Sequence, residues 1–222
     1  MKTHAPGQPD LSIEIPLWQS GVIHLAGLDE AGRGCWAGPV AAGAVILPAD
    51  PQILTRLSGV RDSKQMTSRQ RTSWAVIIRD TALAWATASA SAQEIDAHGI
   101  LPATRLAMQR AIESLNFPVQ HLLIDALRLP QVELPQSNLI KGDARCLSIA
   151  AASVLAKTWR DEYMCNADQE FPGYEFSHHK GYGTAVHRQA LQTLGVCSLH
   201  RRSFAPVRAL LEINTTTSQT TR

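Results

Sequence analysis

An α/β fold is predicted by three features of this chain. Short apolar runs with strand character recur through the first two thirds, at 22–28, 40–47, 83–90, 121–125 and 137–141. Helix-like stretches lie between and after them, at 101–116 and from Ala144 onward. Near residue 166 the pattern changes to polar, glycine-bearing loops and shorter helical segments, so a smaller helical appendage is expected to follow the main core. The 222 residues suffice for one such domain plus an appendage. The expected division is an N-terminal arm at 1–20, an α/β core at 21–165, a C-terminal helical subdomain at 166–213 and a disordered tail at 214–222.

Taken in order, residues 1–20 carry Pro6, Pro9 and Pro16 and no periodicity, which predicts a loose arm able to dock on the core. The run 22–28 ends in two adjacent carboxylates, Asp29 and Glu30, and a glycine-flanked arginine, Gly32-Arg33-Gly34. The run 40–47 follows after a short connection, so the first two strands are expected to pair antiparallel. Residues 61–71 form a polar loop that opens a helix through Trp74 to Arg79, and 83–90 is an alanine-rich strand. In the helix at 101–116, Met108, Ala111, Ile112 and Leu115 fall on one face and Pro102 suits the first turn. The strand 121–125 ends in Asp125, and the short strand 137–141 runs into Gly142-Asp143. In the long helix from Ala144, Leu147, Ala151, Leu155 and Trp159 recur every fourth residue, with alanines beside them that permit close packing on a sheet. Pro172-Gly173-Tyr174 ends it, and helical stretches near 185–194 and 204–213 complete the appendage.

Composition narrows the function classes. Apolar residues make up 45% and charged residues 18%, as in ordinary soluble proteins, and the net charge of +2 names no partner. Arg61, Lys64, Arg69 and Arg71 cluster against the single Asp62, and residues 141–208 hold nine Lys/Arg against six Asp/Glu. Such local excesses suit a polyanion, although a solvated face is the commoner meaning of a charge cluster. Cys35, Cys146, Cys165 and Cys197 form no CxxC pair and no metal-ligand spacing, which fits reduced thiols. No apolar run approaches a membrane span, and the N-terminus lacks a signal pattern, so a cytoplasmic protein without membrane contact is expected.

Three strand ends carry acids: Asp29 with Glu30, Asp125, and Asp143. In α/β sheets chemistry gathers at the carboxyl ends of strands. If these strands share one sheet, the acids converge at one edge, where they repel one another unless cations sit among them. Two Mg²⁺ or Mn²⁺ ions about 3.5–4 Å apart would balance them and serve in-line displacement at phosphorus. Each acid has a plainer alternative. Asp143 directly precedes a helix and can cap it, and Asp125 can merely end its strand. The adjacent pair Asp29 and Glu30 is harder to dismiss, because two unpartnered buried charges are costly.

The ordered motifs Asp29-Glu30-Ala31-Gly32-Arg33-Gly34, Asp62-Ser63-Lys64, Lys141-Gly142-Asp143-Ala144, the stretch from Ser148 to Lys157, His179-Lys180-Gly181-Tyr182-Gly183-Thr184 and His200-Arg201-Arg202-Ser203-Phe204 resemble those of type 2 ribonuclease H, specifically bacterial ribonuclease HII. The resemblance covers about residues 22–210. It implies a ribonuclease H-like fold, a five-stranded mixed sheet flanked by helices with a C-terminal helical subdomain. It implies Asp29, Glu30, Asp125 and Asp143 as catalytic, metal-binding acids for Mg²⁺ or Mn²⁺, two ions during catalysis. It implies that Gly32, Arg33 and Gly34 read a ribonucleotide 2′-hydroxyl largely through backbone groups, that Tyr182 packs on the sugar beyond the junction, and that Lys64 and Lys180 contact substrate. The activity implied is endonucleolytic cleavage of RNA in RNA/DNA hybrids and incision 5′ of single ribonucleotides in DNA, serving replication and repair, by a monomer that leaves 5′-phosphate and 3′-hydroxyl ends. One departure is visible: the family usually has glycine after the third acid, where this chain has Ala126. The sibling ribonuclease HIII carries an extra N-terminal domain, for which the residues before Val22 are too few. Two other readings compete, a non-catalytic hybrid-binding protein and another ribonuclease H-like nuclease such as a junction resolvase. Metal-dependent turnover separates the first, and 2′-hydroxyl readout the second.

The remaining candidates have plainer roles. His178, His179, His187 and His200 lack a ligand spacing and are expected at the surface or in caps. Trp74, Trp85 and Trp159 are expected in the core rather than stacked on bases. Arg201 and Arg202 are balanced between phosphate contact and plain surface.

Overall fold

The computed structural model describes residues 8–219, so residues 1–7 of the expected arm and 220–222 of the expected tail lie outside it. In chain order the elements are α1 (Glu14–Gln19), β1 (Leu25–Ala31), β2 (Val40–Ile46), α2 (Ile53–Arg56), α3 (Ser68–Thr81), β3 (Ala84–Ala90), α4 (Ala92–His98), α5 (Ile100–Glu113), β4 (His121–Asp125), β5 (Gln136–Leu139), α6 (Leu147–Glu170), α7 (Phe176–His179), α8 (Ala185–Leu194) and α9 (Ala205–Gln219). Short 3₁₀ turns at Ser63–Gln65 and Gly142–Ala144 carry two of the polar motifs. The α9 backbone runs past residue 214, where a disordered tail was expected. Among the described residues no helix is long and apolar enough to cross a membrane.

Two compact units emerge, Met1–Ala31 with Ala41–Ser89 and Thr104–Trp159, and Gly32–Val40 with Ala90–Ala103 and Arg160–Arg222. In this division 32–40 and 90–103 fall in the second unit.

The first unit holds the predicted five-stranded mixed sheet, ordered β3-β2-β1-β4-β5. β1 pairs antiparallel with β2, as the short connection requires, and parallel with β4, which pairs parallel with β5. β1 starts three residues later than the apolar run and continues through both acids, because the ladder to β2 extends from Ala26 to Ala31. α6 lies directly on this sheet. A Cβ on Gly27 would come within 2.2 Å of the Ser148 carbonyl carbon, and one on Gly43 within 2.3 Å of the Ala152 oxygen. Glycine in the strands and alanine in the helix thus let two backbones approach closely. Ala150, Ala151, Val154 and Leu155 of α6 join Val45, Leu57 and Ile78 in a buried cluster.

Residues 10–19, in the segment expected as an arm able to dock, are part of this unit. The Glu14 carboxylate is fully buried and accepts from the Ser148 amide (2.9 Å), the Ser148 hydroxyl (3.0 Å) and the Cys146 thiol (3.1 Å), while the Asp10 carbonyl accepts from the Leu147 amide (3.0 Å). A distant acid therefore satisfies the free amides at the start of α6. A six-residue helix has too few turns for a periodic signal, so nothing in the sequence showed it. Burial raises the Glu14 carboxyl above its usual value despite these bonds. The stability that a raised carboxyl supplies is fully present below its unfolded pKa and is lost as pH rises through the folded one. Glu14→Gln keeps an acceptor oxygen and removes the charge. Its urea midpoint should therefore gain on wild type between pH 5 and pH 8; a gap that does not change with pH would refute this account.

Two further expectations change. Trp85 is 39% exposed, with the Arg79 guanidinium 4.9 Å from its ring, because β3 is an edge strand. Arg71 turns inward to the carbonyls of Ser63 (3.1 Å) and Met66 (2.6 Å), removing it from the expected basic cluster.

Candidate active site

The strand register brings the acids to one end of the sheet. Leu28 pairs with Ile124 in the parallel ladder, so Asp29 and Asp125 are the next residues along neighbouring strands. Asp125 in turn pairs with Leu139 of β5, two residues before Lys141-Gly142-Asp143. The Gly142 amide donates to Asp125 Oδ1 at 2.7 Å, tying that loop to the third acid.

Asp29 is only 3% exposed. Its carboxylate accepts from the Glu30 amide at 2.7 Å and from the Ser153 hydroxyl of α6. Ser153 Oγ lies 2.8 Å from Ser63 Oγ, so a hydroxyl chain from the Asp62-Ser63-Lys64 turn through α6 orients Asp29. Asp62 caps that turn by accepting from the Lys64 amide at 2.9 Å. Lys64 Nζ sits 3.8 Å from Asp143 Oδ2, with the lysine side chain 75% exposed and Asp143 buried.

Electrostatics bind these groups together. Burial, followed by the charges on Glu30 and Asp125, holds the Asp29 carboxyl well above the usual range. Burial, Asp62 and Asp125 raise Asp143. Burial would lower Lys64, but the charges of Asp29 and Asp143 outweigh it and the ammonium is held more firmly protonated. Mutually repelling oxygen donors with a single ammonium at the rim suit a hard divalent cation. Among the described residues no three His, Cys, Asp or Glu side chains are gathered closely enough to enclose an ion by themselves. An open cluster of this kind fits Mg²⁺, which keeps several waters and takes substrate oxygens into its shell.

Ala126, the residue after the third acid, has φ +52°. Its amide donates to the Leu139 carbonyl at 3.0 Å, which holds this alanine in the left-handed region. That conformation costs about 1–2 kcal/mol in an L-residue, part of which the greater unfolded-state freedom of glycine takes back. Ala126→Gly is expected to stabilise by about 0.5–1 kcal/mol in urea denaturation with cleavage preserved; a loss of stability would contradict the strain.

The other expected substrate residues lie in the second unit. Gly32 has φ +93°, and a Cβ there would meet Arg160 Nε at 1.9 Å; Gly34 has open space around it. Arg33 is exposed between them. Two fully buried arginines hold this loop by its carbonyls. Arg160 donates to Pro39 O (2.9 Å), Ala37 O (3.1 Å) and Lys180 O (2.9 Å), and Arg201 to Gly38 O (3.0 Å), Arg33 O (2.8 Å) and Gly32 O (2.7 Å). Burial, with Arg160 nearby, lowers Arg201 to about 10, which leaves it charged at neutral pH. Arg201 is thus neither a surface residue nor a phosphate contact, whereas Arg202 is exposed and its amide donates to Asp96 at 2.9 Å. Tyr182 is 43% exposed, and its hydroxyl bonds buried Cys35. Lys180, itself at φ +52°, directs its ammonium to the Ser177 carbonyl within its own turn.

His179, His187 and His200 are buried rather than at the surface, and burial lowers His187 and His200 to about 4; only His178 is exposed. The bond from Ser153 to Asp29, the contact of Ser63 with Ser153, and the carbonyl-holding roles of Arg160 and Arg201 were not legible in the sequence. The usable signal was the presence of Ser148 and Ser153 on the alanine-rich buried face of one helix.

Comparison with known proteins gives the chain a family and its fold relatives. The family model described as Ribonuclease HII matches residues 26–207. The chain is similar to the ribonuclease HII of Chloroflexus aurantiacus, 54% identical over 207 residues covering 92% of this chain and 98% of that one. It is also similar to that of Synechococcus sp., 53% identical over 91% of each. Among solved structures, the ribonuclease H2 of Pyrococcus horikoshii OT3 superposes with TM-score 0.70 at 25% identity, over 85% of this chain and 97% of that one. Bst-RNase HIII in complex with Mn²⁺ shares the fold at TM-score 0.67 and 20% identity, over 96% and 75%.

Proposed function

The chain belongs to the ribonuclease HII family and is an endoribonuclease of RNA/DNA hybrids, and from that premise we propose that Asp29, Glu30, Asp125 and Asp143 are its catalytic, metal-binding acids. The observation that carries this is the convergence of Asp29 and Asp125 on adjacent parallel strands, with Asp143 facing the charge of Asp125 and its loop tied to Asp125 through the Gly142 amide. Two bound Mg²⁺ or Mn²⁺ ions would supply an activated water and stabilise the leaving oxygen. The chain's own part is to hold the buried Asp29 through Glu30 and Ser153, to hold Asp125 through the Gly142 amide, and to place the Lys64 ammonium beside Asp143 for a substrate phosphate.

The substrate range goes further than hybrids. Gly32, Arg33 and Gly34 read the 2′-hydroxyl, which can both donate and accept, and Tyr182 offers its exposed ring to the following deoxyribose. Lys180 serves mainly through its backbone, since its ammonium is used within its own turn. The enzyme acts as a cytoplasmic monomer on hybrids and on DNA containing ribonucleotides.

The test is a DNA duplex holding one ribonucleotide, incubated with Mg²⁺ or Mn²⁺. We expect a cut on the 5′ side, with the ribonucleotide kept at the 5′ end of the downstream product and all-DNA duplex intact. Cleavage of long hybrids with no cut at the single ribonucleotide would refute the junction reading.

A further inference from the structure

The tripeptide Leu199-His200-Arg201 lies as a bridge against the 36–38 segment. Ala37 and His200 form an antiparallel β-bridge, the Arg201 amide donates to Trp36 O at 2.8 Å, and the Gly38 amide donates to Leu199 O at 2.8 Å. Successive side chains of an extended segment point to opposite faces, and here the two buried ones do different jobs. Arg201 reaches the carbonyls of Gly32, Arg33 and Gly38. With those carbonyls engaged by a buried fork, the loop has one conformation to offer a ligand. Arginine suits this role because its donors are fixed in a plane.

His200 reaches the other way. Its Nδ1 receives the Cys197 amide at 3.0 Å, so the neutral ring carries its proton on Nε2. That Nε2 is 3.0 Å from His187 Nε2. His187 Nδ1 lies 2.9 Å from the Tyr182 carbonyl, which only accepts, so His187 carries its proton on Nδ1 and receives at Nε2. The bonds then run one way, from the Cys197 amide through His200 and His187 to the Tyr182 carbonyl. Every group is satisfied with both rings neutral, and their burial agrees with that state. His179 stacks on His187 at 4.4 Å between ring centroids and donates from Nε2 to Tyr174 O, since its Nδ1 receives the Gly181 amide. The Tyr182 turn is also bound to the loop directly, through the Trp36 amide to Gly181 O at 2.8 Å.

We infer that His200 and Arg201, with His187 as intermediary, are positioning residues that set the spacing between the 2′-hydroxyl-reading loop and the tyrosine platform, and so set selectivity for the RNA-to-DNA junction. None of the three touches substrate in this account. The inference rests on the proposed roles of Gly32–Gly34 and Tyr182.

The experiment measures the ratio of single-ribonucleotide incision to long-hybrid cleavage in Mn²⁺, for variants whose melting confirms folding. His200→Leu should lower that ratio about tenfold, the scale of one or two lost buried hydrogen bonds. His200→Gln, whose amide can donate to His187, should restore most of it. In a Tyr182→Ala background, His200→Leu should change the ratio no further, because the group it positions is gone. Arg201→Lys keeps the charge but cannot bridge three carbonyls, and should reduce the binding preference for single-ribonucleotide duplex over all-DNA duplex about tenfold. It carries the test if His200→Leu does not fold. A folded His200→Leu with a wild-type ratio, an additive loss in the Tyr182→Ala background, or an unchanged preference in Arg201→Lys would overturn the inference alone. A wild-type ratio in Tyr182→Ala itself would overturn it together with the junction reading it rests on.

Discussion

Asp29→Asn is expected to lower cleavage by at least about 10²–10³-fold, the scale on which one preorganised charge-stabilising group registers, while the metal-free protein becomes more stable. Both effects have one cause. The carboxyl is buried beside Glu30 and Asp125, which raises its pKa well above the usual range, so ionising it works against the fold until a cation balances the charge. Asparagine keeps the shape and an acceptor for the Glu30 amide, and the Ser153 hydroxyl can turn to accept from the new amide. Without divalent ions the variant should melt higher by about 2–4 °C for each kcal/mol of repulsion removed. The sign with pH follows from the raised carboxyl: the contribution of Asp29 to wild-type stability is fully present below its unfolded pKa and is lost as pH rises through the folded one, and the variant should lack that component of the slope. Adding Mn²⁺ should raise the wild-type midpoint by ligand linkage and move the variant less. Calorimetry with and without the ion, beside a cleavage assay, reads all of this. Near-normal cleavage would remove Asp29 from the metal centre.

The second large effect separates two glycines that look alike in the sequence. Gly32→Ala places a side chain in the left-handed region and drives its Cβ to 1.9 Å from Arg160 Nε. The Arg160 guanidinium is fully buried and makes three bonds to backbone carbonyls, so it has nowhere to withdraw. Disrupting a buried charge's partners costs about 3–5 kcal/mol, and a left-handed alanine adds about 1–2 kcal/mol. Gly32→Ala should therefore lose much of its stability and all preference for single-ribonucleotide duplex. Gly34→Ala should fold with wild-type stability, because nothing lies within 4 Å of the added carbon. If the loop reads a 2′-hydroxyl by close approach, Gly34→Ala should still lose single-ribonucleotide incision while remaining folded. Urea melts and incision assays on the two variants distinguish a structural glycine from a ligand-clearing one. Equal stabilities for the two would contradict the packing of Arg160.

The chain's order of polar motifs at strand ends, together with the apolar runs before them, was enough to specify the α/β class and the five strands, and to mark the strand ends from which the proposed acids come. It did so because both signals are local. A buried strand shows as a short apolar run, and a catalytic edge shows as an acid at the end of that run, as at Leu28-Asp29 and Ile124-Asp125. The antiparallel first pair was legible for the same reason, since a short connection permits nothing else. What only the tertiary structure decided depends on contacts far apart in sequence. Glu14 is a buried cap of α6 because Ser148, 134 residues away, presents its amide there. Arg201 is an internal clamp because the 36–38 segment pairs with it, although its neighbour Arg202, identical in sequence terms, is exposed. His187 and His200 read as surface or capping residues because a neutral, fully hydrogen-bonded imidazole leaves no mark of its burial in composition or spacing. A side chain's chemistry can be read from its type. Whether it is buried, and which lone pairs and protons are already engaged, is settled only by the segments that pack around it.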